Sequence, residues 1–127
     1  MTTRVLVTGS RTWADEESIR GALEDVHVGL AYGEKPSSIV IVHGAAKGAD
    51  AIADRVAREL GYTVEEHPAN WERDGRGAGV IRNANMVNLG AVLCLAFWDG
   101  HSRGTAHCIA KAVRWGIPVR IVPEKRR

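Results

Sequence analysis

Three short segments concentrate residues able to hold an anion: GSRT at 9–12, GAAKGAD at 44–50 and DGHSRGT at 99–105. Glycine removes the Cβ that would hold a phosphate away from the backbone, and free amides at a helix start favour negative charge. Gly9, Ser10, Gly44, Gly48, Gly100, Ser102, Gly104 and Thr105 are therefore candidate phosphate contacts. The third segment fits best, because the helix after it starts without an acidic residue. The helix after the first segment starts Asp15-Glu16-Glu17, which repels an anion, so Arg11 rather than a helix dipole should make the phosphate contact there.

Other side chains invite specific chemistry. Asp50 and Asp99 could bind ribose hydroxyls; equally, Asp50 could cap a helix and Asp99 could form a turn before Gly100. Trp13 and Trp71 could each stack on a base or simply pack, and Arg82 with Asn83 adds charge and hydrogen-bonding capacity. His43, His101 and His107 lie on separate elements without the close carboxylate or cysteine spacing of a zinc site, so no metal is expected. Neither Ser10 nor Ser102 sits in a nucleophile-elbow motif. GxGxxG and GK[ST] are both missing, which argues against an ordinary dinucleotide fold and a P-loop NTPase.

The elements that must carry these segments follow from periodicity. Apolar, β-branched runs at 4–8 (RVLVT), 39–43 (IVIVH), 91–97 (AVLCLAF) and 117–122 (IPVRIV) read as buried strands. The more polar run 62–66 (YTVEE) suits a sheet edge. Ile19, Ala22, Leu23, Val26 and Leu30 form one helical stripe, and Ile52, Ala53, Val56, Ala57 and Leu60 another. A third helix runs through Ala106, Ile109, Ala110 and Val113 to stop signals at Gly116 and Pro118, and a weaker one spans about 79–89. The segment 67–79 (HPANWERDGRGAG) is too polar for core and reads as a mobile flap. Alternating strands and helices imply an α/β fold: a single Rossmann-like, doubly wound sheet of about five mainly parallel strands, helices on both faces, residues 1–127 forming one domain. Ligands of such sheets bind outside the carboxyl ends of the strands, where all three segments lie.

Bulk properties bound the partners. With 45% hydrophobic and 25% charged residues, the 127-residue chain can build one core. Its two cysteines, Cys94 and Cys108, read as reduced core thiols, which suggests a cytoplasmic setting. No apolar run is long enough for a signal peptide or membrane span. Net charge is only +2, from 17 basic and 15 acidic residues, so nucleic acid is not expected as a partner, and the 125–127 end reads as a solvated tail.

Taken together, GSRTW, HGAAKGAD, Arg82-Asn83 with Met86, and AFWDGHSRGTAH resemble, in order and over nearly the whole chain, the YspA-like branch of the SLOG superfamily. Relatives in that superfamily include the cytokinin-activating LOG phosphoribohydrolases, the DNA-processing protein DprA, and domains proposed to sense nucleotide-derived signals. The resemblance implies a nucleotide-derived ligand, ribose-phosphate or ADP-ribose-like, held for sensing or sequestration, with no cofactor required and a homo-oligomeric assembly. Arg82 matches the arginine of the LOG arginine-lysine pair, Asn83 replaces the lysine, and residues 99–105 resemble the LOG glycine-rich loop in altered form. Cys108 occupies the position of the LOG glutamate that supports N-glycosidic cleavage. LOG-type hydrolysis, drawing on Arg82, Asp99 or Asp50, is therefore the alternative, and single-stranded DNA binding, as in DprA, a second one.

Overall fold

In a computed structural model that describes residues 2–125, the strands are β1 Thr3–Gly9, β2 Ile39–His43, β3 Thr63–Glu66, β4 Leu93–Phe97 and β5 Val119–Val122. They form one sheet in the order β3-β2-β1-β4-β5, every neighbouring pair parallel. The order reverses between β1 and β4, which places the switch point beside the first and third glycine-bearing segments. The polar strand β3 is an edge, as its composition suggests.

Strand side chains alternate between two cores. Val5, Val7, Ile39, Ile41, Leu95 and Phe97 face helices α1 (Glu16–Leu30) and α2 (Ala49–Glu59). Leu6, Val40, Val42 and Cys94 face α4 (Ala78–Asn88) and α5 (Arg103–Arg114), through Met86, Val87, Cys108 and Ala112. Strands buried on both faces read as continuous apolar runs, and that is why periodicity located them.

Three differences from expectation have local causes. The last two strands start later than their apolar runs: Val92 bonds back to Arg4 before β4 begins, and Pro118, which has no N–H, precedes β5 while its carbonyl accepts from Cys94 N. The segment 67–79 is only partly irregular. It contains helix α3 (Trp71–Asp74), capped by the Asn70 side chain on Arg73 N at 3.0 Å, followed by a 3₁₀ turn at Gly75–Gly77. The carboxyl end is docked rather than wholly solvated: Glu124 accepts from Ala14 N and Lys125 N donates to Asp15, while Arg126 and Arg127 lie outside the described residues. No helix among the described residues is long and apolar enough to cross a membrane.

Candidate ligand-binding site

β1 ends at Gly9, beside Phe97 at the end of β4, and the chain must turn sharply away at both places. A Cβ at Gly9 would collide with the Phe97 backbone and the Ala49 side chain, so glycine is what lets the start of α2 close on the sheet. Gly48 (φ +73°) caps α2 in the left-handed region, its Cα side pressed against the Ser10 and Arg11 backbone. Ala49 N completes the junction on Ser10 O at 3.1 Å.

Above this junction lies a crevice of about 160 Å³. It brings together Gly9, Arg11, Asp50, Arg82, Asn83, Ser102, Gly104 and Thr105 from the candidate residues, with Thr8, Ala46 and Met86. A second, adjoining hollow of about 110 Å³ holds Gly44 and Trp71, and shares Arg11, Ala46 and Arg82 with the first. Arg82 thus stands between a hollow at the start of α5 and another under the half-exposed indole of Trp71.

The start of α5 is open. Its cap, Ser102, makes no side-chain capping bond, no acidic residue occupies the first turn, and the first intrahelical bond falls to Ala106 N on Ser102 O. The amides of Arg103, Gly104 and Thr105 have no intrahelical acceptor, by position. Facing them are two arginines without a carboxylate partner among the described residues. Arg4, Arg20, Arg55, Arg58, Arg73 and Arg120 each meet an Asp or Glu. Arg82 instead bonds two neutral acceptors, Gly44 O and Asn83 Oδ1, while the exposed Arg11 side chain makes no hydrogen bond among the described residues. Such a place favours an anion.

Asp50 is the carboxylate in this crevice. It sits one residue inside α2, so it is not the cap; its Oδ2 accepts from Gly44 N at 3.1 Å and Ala46 N at 3.3 Å. Its Oδ1 is buried without a hydrogen-bond partner, and burial pushes the carboxyl above its ordinary range against the pull of its neighbours. The same loop is braced by His43, whose Nδ1 accepts from Ala45 N while Nε2 meets Asp54 at 2.7 Å. This fixes Ala45 at a left-handed φ of +56°. Nothing in the sequence flagged the His43–Asp54 pair. His43, Asp54 and Glu66 do converge, but Arg58 already lies on both carboxylates and both His43 ring nitrogens are engaged.

Several candidates have other duties. Trp13 is buried at 3% exposure, edge-on to Phe97 with ring centroids 5.7 Å apart, its Nε1 donating to Asp15 O; as a core residue it cannot stack on a base. Ser10 is buried with its N on Phe97 O, and Gly44 N is taken by Asp50, so neither amide is free for phosphate. Asp99 forms the turn: its Oδ1 accepts from His101 N and Ser102 N, both at 2.8 Å, and these bonds hold its carboxyl below the usual range. Gly100 (φ +85°) completes that turn and is exposed. Asn83, buried in the same wall, ties Arg82 to α5 by donating to Gly104 O at 3.2 Å, so it positions rather than contacts. Cys108, at the position of the LOG glutamate, is fully buried against Cys94.

Comparison with known proteins agrees with the fold. Over 98% of its length the chain superposes on DNA processing protein A (DprA) from Streptococcus pneumoniae, with a TM-score of 0.73 at 16% identity, and it spans about half (51%) of that chain. At this identity the likeness speaks for the fold alone. The chain is also 49% identical over 122 residues to the Gene 61 protein of Mycobacterium phage D29, covering 91% of this chain and 93% of that protein. Residues 3–73, from β1 through α3, match the family described as "YspA, cpYpsA-related SLOG family". On that match the chain belongs to the YspA, cpYpsA-related SLOG family.

Proposed function

We propose that the protein binds an anionic, nucleotide-derived ligand, ribose-phosphate or ADP-ribose-like, in the crevice between β1, β4 and the start of α5. One observation carries this reading: an uncapped, acid-free helix start faces two arginines that form no salt bridge among the described residues. Gly104 and Thr105 amides would hold the phosphate, Arg11 and Arg82 would neutralise it, and Trp71 would cover the base. Binding of this kind serves sensing or sequestration in the cytoplasm and needs no cofactor. A thermal-shift screen over mono- and dinucleotides tests it, since a ligand at about 100 times its dissociation constant stabilises by ~2.7 kcal/mol. A hit that Arg82→Ala and Arg11→Ala both abolish supports the reading; a screen without any shift refutes it.

A second reading, N-glycosidic hydrolysis of a nucleotide, draws on Asp50, the carboxylate lining the crevice. Sustained release of free base, abolished by Arg82→Ala, would establish it. Single-stranded DNA binding has only the fold likeness to DprA behind it, and the balanced charge opposes it. We expect a flat anisotropy titration with oligonucleotides at low salt. Homo-oligomerisation, with a neighbour's loop completing the open crevice, is expected as a mass above the monomer in light scattering.

A further inference from the structure

Asp50 has one acceptor too many for the protein around it. Oδ2 is satisfied by two backbone amides of the β2–α2 loop, which fix the plane and direction of the carboxyl group. Oδ1 is left without a donor although the residue is only 5% exposed. A buried oxygen with no partner costs free energy that a bound donor recovers. No group among the described residues supplies that donor, and the residue lines the same crevice as the open start of α5, Arg11 and Arg82.

These surroundings narrow the chemistry of the missing donor. An ammonium would be repelled by Arg11 and Arg82, whereas a hydroxyl is neutral and can belong to a molecule whose anionic end lies at α5. A phosphate and a hydroxyl on one small scaffold describe a sugar phosphate. We infer that Asp50 Oδ1 accepts the 2-hydroxyl of a ribose phosphate, so that the site selects ribose over 2-deoxyribose. Oδ1 has no exposed surface in the empty crevice. Binding therefore includes a small adjustment of the half-buried Arg82 side chain, which is held only by neutral acceptors. This inference rests on the reading of the crevice as a nucleotide-derivative site, and it adds the sugar that the site selects.

NMR-detected titration with inorganic phosphate, ribose 5-phosphate and 2-deoxyribose 5-phosphate tests it on the wild-type chain and on Asp50→Asn. The asparagine oxygen can keep both loop amides while its NH₂ replaces the orphan acceptor by a donor, so the fold is retained and the acceptor is lost. Ribose 5-phosphate is expected to bind about tenfold or more tightly than its 2-deoxy analogue to the wild type. In Asp50→Asn the two should bind alike, and inorganic phosphate should bind at least as tightly as to the wild type, because a like charge leaves the crevice. A purely structural Asp50 would weaken all three probes together, which overturns the inference. Equal binding of the two sugar phosphates to the wild type also overturns it, while leaving the crevice an anion site. No binding of any of the three overturns the reading of the crevice itself, and the sugar preference with it.

Discussion

Replacing Gly104 by aspartate should raise stability and weaken anion binding at the same time. Gly104 is exposed near the start of α5, and a Cβ built there meets nothing within 4 Å, so the new side chain fits without displacing a neighbour. In the first turn it gains from the helix dipole and loses glycine's backbone entropy, together about 0.5–1.5 kcal/mol. For a chain of this size that corresponds to a rise of about 2–6 °C in Tm. The same carboxylate would lie ~5 Å from a phosphate held by the Gly104 and Thr105 amides. At an effective dielectric of about 20–80 the repulsion is about 1–3 kcal/mol per unit charge. Affinity should fall roughly five- to 150-fold. Calorimetry with the best ligand of the thermal-shift screen, beside Gly104→Asn as a neutral control, reads both effects. Unchanged affinity in a stabilised Gly104→Asp protein would refute the placement of the anion at α5.

Other perturbations separate framework from site. Trp13→Ala removes a buried indole and its edge contact with Phe97, and should cost about 3–5 kcal/mol in denaturant unfolding. Gly48→Ala would force a left-handed φ on alanine and drive its Cβ into the Ser10 and Arg11 backbone, so a loss above about 2 kcal/mol is expected in the same assay. Glu65, bonded by Arg4 and then by His67, has its carboxyl lowered from 4.5 to about 2. Because the folded value is the lower one, its contribution is complete above about pH 4.5 and is lost as pH falls toward 2. Glu65→Gln should therefore lie below the wild type in stability at pH 6 and converge with it only as pH falls through about 2.

The sheet was legible because its strands are buried on both faces and so appear as apolar runs, and the helices because their stripes face those strands. The ends of elements were less so, since Pro118 and the Val92–Arg4 bond act across strands rather than along the chain. Within the site, residue type and position after a strand found Arg11, Asp50 and the Ser102–Gly104–Thr105 start of α5, and the family resemblance found Arg82. Direction was the missing information. Whether Trp13 turns into the core and whether Ser10 N is already bonded depend on contacts with Phe97, and no local pattern encodes them. The His43–Asp54 brace escaped notice because its partners are eleven residues apart on a strand and a helix, a separation that only the packed fold turns into 2.7 Å.

Anion binding at the start of α5 is the central claim. In ¹H–¹⁵N spectra of the labelled protein titrated with ribose 5-phosphate, the amides of Gly104 and Thr105 should shift first and furthest, with Arg11 and Arg82 side-chain signals moving at the same concentrations. Shifts confined to other surfaces, such as the α1 start or the carboxyl end, with α5 unmoved, would contradict it.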